Sequence, residues 1–428
     1  MTRADILFNI LALGALAQAG PTPSSKWKPR QALPDLDIDL SKLPTYNGTG
    51  PTMLRFGCRQ LSIDRIDPLV NPGAVPSPHQ HQIVGGDAFD ASMPLSDIAA
   101  ESSCTTCSYS DDFSNYWTSN LYFRARNGTY HRVPQIAPGH NSFFNDTFSE
   151  QIGGGMVVYY VSPGQNQITS FPPGFRMFVG DPMLRSVPGG QWNLSTQTCF
   201  RCFNGPNFGG DEFRPCVDPR VDTMHLPDGP CFGIRSNILF PTCWDGVNLD
   251  SANHKSHVAY PVEGPHLFDG IGTAETCPPS HPVKIPQVMV EAIWDTTAFN
   301  DPNDWPEDGS QPFVLSTGDR TGYSQHADYV FGWKNDALDF GMEAGCAGAR
   351  CPGMATQSLE EASQCSVPEL VGENYSGWLE TLPGNPPQPP VTTGIPSSTT
   401  TAAPAPTSSC PPEGKGKGKG KGKRNISE

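Results

Sequence analysis

Long apolar runs are missing from this chain. After residue 16 no stretch approaches the roughly 20 apolar residues that a helix needs to cross a bilayer, so the mature chain is expected to be soluble. No hydrophobic C-terminal tail of the kind a lipid anchor replaces is present either. Basic residues are scarce, 28 Lys and Arg against 43 Asp and Glu for a formal charge of −15. Residues 411–428 hold five Lys and one Arg against two Glu, so the body of the chain lies near −19. A body that acidic repels polyanions, which excludes nucleic acid and anionic membranes as partners. Three catalytic signatures are also absent: a G-x-S-x-G nucleophile elbow, an H-E-x-x-H zinc helix and a G-x-x-x-x-G-K-[ST] phosphate loop.

What is present points to export. Met1 to Asp5 carries one positive charge at Arg3, the run Ile6 to Leu16 is mostly apolar, and Ala17-Gln18-Ala19 offers a small-residue cleavage site. Residues 1–19 are therefore read as a signal peptide. The new terminus would be Gly20 rather than a histidine, which removes the N-terminal-histidine copper chemistry of oxidative polysaccharide enzymes. Thirteen cysteines in a secreted chain mean disulfides before metal. Twelve lie in the body, an even number, and Cys410 stands apart in the tail, unpaired or intermolecular. The C-x-x-C pairs Cys104/Cys107 and Cys199/Cys202 lack a paired zinc-ribbon spacing and a thioredoxin-like βαβ pattern, so structural bridges are predicted for them. Sequons at Asn47, Asn127, Asn145, Asn193, Asn374 and Asn425 predict solvent-facing, glycosylated asparagines.

Residues 20–50 read as a loose arm and 51–370 as an ordered core. Residues 381–411 are a Pro/Thr/Ser-rich stalk with too few large apolar side chains to fold, and 412–428 a cationic Gly-Lys tail. The 44 Gly and 45 Pro exclude long helices. Strand-like segments recur between turns at Met156–Val161, Phe175–Val179, Phe232–Phe240, Val288–Trp294 and Phe313–Ser316. Tyr122 to Arg126 followed by Asn127-Gly128 signals a hairpin with a two-residue turn, and Ala355–Ser363 is the expected helix. The predicted fold is mainly β, a disulfide-linked antiparallel β-sandwich or jelly roll with long loops and few short helices.

Two histidine pairs stand out. In His79-Gln80-His81 an extended backbone puts both imidazoles on one face; in His254-Lys255-Ser256-His257 a helical turn does the same. Either geometry can chelate a divalent metal. Asp245 and Asp250 lie upstream of the second pair, and Asp319, His326 and Asp328 form a third cluster. The bland reading of each piece alone is a framework histidine or a turn-forming Asp before Gly. Without a metal, the acids Asp245, Asp250, Asp319 and Asp328 are candidates for the carboxylate pair of glycoside hydrolysis, with His257 or His326 to tune a proton. A lyase would instead need a His or Tyr base and an Arg or metal to neutralise a uronate. Tyr116, Trp117, Trp244, Tyr260, Tyr323 and Trp333 are either core or sugar-stacking platforms.

Asp67-Pro68-Leu69-Val70-Asn71-Pro72-Gly73 followed by His79-Gln80-His81 resembles the opening of a fungal secreted family catalogued as domain of unknown function nineteen-ninety-six. The likeness continues through Ser103-Cys104-Thr105-Thr106-Cys107, Asn115-Tyr116-Trp117 and Phe171-Pro172-Pro173-Gly174-Phe175. It goes on in Cys243-Trp244-Asp245-Gly246, His326-Ala327-Asp328 and Gly332-Trp333, covering about residues 53–340. The resemblance implies a fungal extracellular protein whose relatives often carry wall- or polysaccharide-binding modules, and it implies no settled activity. Here the stalk and Gly-Lys tail stand in place of such a module.

The expectation is a secreted, cell-wall or extracellular monomer that acts on or binds wall or plant polysaccharide. In the enzyme reading His79, His81, Asp245, His254 and His257 line one cleft with Asp319, His326 and Asp328 on its rim, a glycan hydrolase or lyase using an Asp/His pair. No cofactor is established, and a divalent metal is the one allowed. The rival is a non-catalytic lectin-like, adhesion or structural protein. The two part on whether the histidine pairs converge within about 10 Å, the span over which side chains share one substrate.

Overall fold

A computed structural model describes residues 45–46, 52–136, 154–162, 168–186, 198–206, 216, 221–262, 276–348 and 351–384. The signal peptide, nearly all of the arm and stalk, the Gly-Lys tail, Cys410 and sequons Asn47, Asn145, Asn193 and Asn425 lie outside the described residues. The two remaining sequon asparagines, Asn127 and Asn374, are exposed as expected. The chain divides into units Met1–Gln388 and Pro389–Glu428, and every described residue belongs to the first. Among the described residues no helix is long and apolar enough to cross a membrane.

Ten strands form the main sheet: β1 (Thr52–Asp64), β2 (His81–Gly85), β3 (Asn115–Ser119), β4 (Gly155–Ser162), β5 (Arg176–Gly180), β6 (Thr198–Cys202), β7 (Asp222–Thr223), β8 (Ile234–Leu239), β9 (Gln287–Trp294) and β10 (His326–Val330). Their spatial order is β7-β6-β8-β9-β4-β1-β2-β3-β10-β5, and every pairing along it is antiparallel. Ala347–Gly348 adds a short parallel pairing to β1. The 13-residue β1 joins the two halves. Its first part, Thr52–Arg59, pairs with β4; a register shift between Gln60 and Ser62 then bends it, and its last part pairs with β2. A bulge increases local twist, and here it folds the sheet back on itself.

The two halves close over one apolar core. Phe56 of β1, Tyr116 of β3, Tyr160 of β4, Val290 of β9 and Tyr329 of β10 all point into it. These are the aromatic and β-branched residues that suit a pleated, buried surface, which is why these segments extend. Alternation sends Ile83, Trp117, Phe178 and Val330 to the opposite face, where Leu61, Ile66, Leu69, Phe89 and Ile98 cover them in a second core. The fold is the antiparallel sandwich that the strand pattern predicted, made from one curled sheet.

A smaller sheet orders Phe313–Leu315, Leu121–Arg124, Tyr130–Arg132 and Trp378–Leu379 side by side. Its hairpin pairs Arg124 with Tyr130, so the loop through Asn127-Gly128 has five residues, not two. Within it Ala125 N donates to Thr129 O at 2.9 Å, and the Arg126 guanidinium anchors the tip by donating to Trp305 O and Pro302 O. The predicted helix shrinks to Leu359–Ala362, and the longer helix Ala337–Glu343 had no sequence expectation.

All twelve body cysteines pair: Cys58–Cys107, Cys104–Cys365, Cys199–Cys216, Cys202–Cys231, Cys243–Cys277 and Cys346–Cys351. Neither C-x-x-C closes on itself. Cys58, Cys107 and Asp112 lie together, but the two sulfurs are spent on their bond and offer no thiolate.

Asp112 begins a hydrogen-bonded chain through the core. Tyr116 Oη donates to Asp112 Oδ2 at 2.9 Å, lies 2.6 Å from Tyr160 Oη, and Tyr160 donates to Tyr329 at 2.9 Å. Burial pushes the Asp112 carboxyl up to about 7, with Ser114 and Tyr116 opposing. Between pH 4 and 7 the native state then holds a proton that the unfolded chain has released, so stability falls as pH rises through that window. The expected cost is about 4 kcal/mol at most, from three pH units at 1.36 kcal/mol each. Urea unfolding of Asp112→Asn should show that slope removed; an unchanged slope would refute the assignment.

Candidate metal centre

One row runs across the outer face of the sheet, from His81 on β2 to Ser119 on β3, then His326 on β10 and Gly180 on β5. His81 and His326 are therefore two strands apart, and the small side chain of Ser119 leaves room for their rings to meet above it. His79, in the loop entering β2, completes the group. His79 Nε2 lies 3.1 Å from His326 Nε2, and His81 Nε2 lies 3.3 Å from the same atom. The three rings are 6 %, 0 % and 1 % exposed for His79, His81 and His326.

Their protonation is set by neighbours. His81 Nδ1–H donates to Ile66 O at 3.0 Å and His326 Nδ1–H to Ser324 O at 2.9 Å. A carbonyl only accepts, so in both rings the proton sits on Nδ1 and the Nε2 lone pair faces the cluster. His79 Nε2–H can bridge one of those lone pairs but not both. Burial, with His81, His326 and Arg185 adding to it, holds His79 well below its ordinary pKa. Burial also lowers His81, against the pull of Asp67 and the Ile66 carbonyl. Burial and then His81 lower His326 to about 3. Three neutral imidazoles with converging nitrogens are a ligand set. Nitrogens about 2.0–2.1 Å from a tetrahedral ion stand about 3.3–3.4 Å apart, close to the separations here.

Supporting residues hold this arrangement. Asp319 is a loop organiser, not a cleft acid: Oδ1 accepts from Thr321 N and Oγ1, and Oδ2 from Ser324 N, whose carbonyl in turn orients His326. Such a partner behind a ligand fixes its tautomer and aim. Asp328 lies two residues along β10 on the same face, fully buried, with Oδ1 lacking a hydrogen bond. Burial, with Asp67 adding, raises its pKa well above the ordinary value, against Lys255.

Gly180 is required beside His326. Its φ is +92°, and a Cβ there would stand 2.5 Å from Gln325 O and 2.7 Å from His326 Cβ. Gly180→Ala is expected to destabilise the fold by about 3 kcal/mol in urea unfolding, since sheet backbone cannot yield cheaply. A loss under about 1 kcal/mol would show that the sheet accommodates the methyl group.

The other predicted residues gather elsewhere. His257 Nε2 meets Arg176 O at 2.8 Å and its Nδ1 meets Ser251 Oγ at 2.9 Å, so both nitrogens are committed, and burial lowers its pKa. His254 Nδ1 lies 2.8 Å from Asp250 Oδ1. Asp245 accepts from Val247 N, Asn248 N and Asn248 Nδ2; burial pushes its carboxyl up, but these donors, Asn248 first, outweigh it and hold it below its ordinary value. His257 is held at the Arg176 end of β5, while the His254 carbonyl accepts from Phe178 N in the middle of the strand, two residues short of the Gly180 that faces His326. Among the described residues no hydrogen bond or ring contact joins His254 or His257 to the first pair. The structure joins the first pair to His326, 245 residues beyond His81. Tyr116, Trp117, Trp244, Tyr260 and Trp333 are buried and Tyr323 half-buried, so these rings form core and not a stacking platform.

Fold and site together define a disulfide-stapled, mainly β protein with three imidazoles converging on one sheet face. Residues 67–333 match the family described as Domain of unknown function (DUF1996), and the chain belongs to that family. The matched segment contains all three clustered histidines. No curated protein and no solved structure matches the chain.

Proposed function

We propose that this is a secreted fungal metalloprotein that acts on or binds wall or plant polysaccharide, with a divalent transition-metal ion held by His79, His81 and His326. One observation carries the metal: three buried imidazoles bring their Nε2 atoms together, 3.1 and 3.3 Å from His326 Nε2, at separations that suit three ligands of one tetrahedral ion. Imidazole donors suit zinc, copper, cobalt and nickel, and three protein ligands leave a position for exogenous chemistry. Six disulfides support an oxidising, extracellular setting. Polysaccharide as partner draws on Trp378, 55 % exposed beside an open depression of about 590 Å³. The depression's Gly384 end abuts the Pro78 carbonyl, one residue before His79.

The test is metal analysis of the purified full-length chain after chelation and reloading with zinc, copper or cobalt. One tightly held ion per chain is expected, and product release from wall glycans should be lost with chelator. Failure of all three metals to bind stoichiometrically would defeat the reading. Retention on glycans without products would favour a binding protein.

A further inference from the structure

We infer that the open position on an ion held by His79, His81 and His326 belongs to an exogenous carboxylate, so that the site takes an acidic, uronate-type ligand. This rests on the metal-centre reading above. Among the described residues the cluster of donors contains these three histidines and no fourth side chain. A three-ligand site completes its coordination from outside the protein.

The surroundings say from which side and with what charge. His81 and His326 are sealed against the sheet; His79 keeps a trace of exposure, and Arg185 near it is 30 % exposed along its side chain. The Arg185 guanidinium is fixed in place by Pro182 O at 2.9 Å, Leu184 O at 2.8 Å and Thr317 O at 3.0 Å, with its Nε 3.9 Å from Asp319 Oδ1. On the other flank Lys255 Nζ donates to Gly180 O, next to His326, and lies over the Phe178 ring at 4.2 Å. Two anchored cations from separate loops therefore flank the ligand atoms.

The acids nearby are already engaged. Asp67 accepts from Leu69 N, Val70 N and Asn71 Nδ2, and Asp319 from Thr321 and Ser324. A divalent ion in place would add two positive charges between these two cations, and its open position would then take an oxygen anion. A carboxylate is the oxygen anion that suits both an open metal position and a neighbouring cation.

The experiment uses the full chain loaded with cobalt(II), whose visible absorption reports its ligands. Acetate and D-galacturonate are titrated at constant ionic strength beside galactose and sulfate. Both carboxylates should shift the band with saturation, and galactose should leave it unchanged. Arg185→Gln and Lys255→Gln, made separately, should keep one cobalt per chain and raise the half-saturating galacturonate concentration about tenfold, the effect of losing one charge-assisted contact. A chain that holds cobalt but ignores carboxylates overturns this inference alone. A response to galactose or sulfate as strong as that to galacturonate also overturns it. A chain that holds no cobalt overturns the metal centre and this inference with it.

Discussion

Replacing His326 by alanine is expected to abolish the stabilisation that zinc confers on the intact chain. A ligand present at a hundred times its dissociation constant stabilises the folded state by about 2.7 kcal/mol. For an ordered body of about 320 residues that raises the melting temperature by about 4 °C. His326 is the hub of the cluster, since both other Nε2 atoms are measured against it at 3.1 and 3.3 Å. Its removal leaves two adjacent imidazoles, fewer than the three protein ligands of an open zinc site, so the zinc-induced shift should fall close to zero. His326→Gln keeps more of the volume and guards against simple unfolding. His257→Ala is the control, because both of its ring nitrogens are bound to Arg176 O and Ser251 Oγ and none is free for an ion. A zinc shift that survives in both His326 variants would remove the centre from this protein.

The second large effect concerns the covalent frame. Cys104–Cys365 closes a sequence separation of 261 residues, Cys346–Cys351 one of 5. In the chain-entropy treatment the first constrains the unfolded state by about 5–6 kcal/mol and the second by about 2 kcal/mol. The long bridge also ties the second core, where Cys365 packs with Leu61, Ile66 and Ile98 beneath the loops that cover the histidine row. Cys104→Ser combined with Cys365→Ser should therefore lower the urea midpoint far more than the paired serine change at Cys346 and Cys351. It should also weaken metal retention, because Ile66 O orients His81 from the same covering loop. Equal losses from the two bridges would contradict the argument.

Much of the fold is legible in local sequence. Gly155–Ser162 and Gln287–Trp294 are strands because their Val, Met, Tyr and Ile residues fit a pleated sheet buried on both sides. The 13-residue β1 was not anticipated, because Arg55, Arg59, Gln60 and Asp64 interrupt its apolar character. Those polar residues reach the outer faces of the curled sheet, and Asp64 accepts from Leu370 and Val371 N, more than 300 residues away. The hairpin at Asn127-Gly128 was visible but the anchoring of its tip was not, since Arg126 finds its partners about 180 residues further on.

Sequence alone determined the strand-rich class, the paired body cysteines and the chelating spacing of His79 and His81, because each depends on composition or on neighbours within a few residues. Only the tertiary structure decided that His326 joins that pair while His254 and His257 turn to framework carbonyls and hydroxyls. Strand order is a long-range property. Antiparallel pairing through β3 brings β2 and β10 to one row, and no local pattern in a chain records which strand will lie beside which.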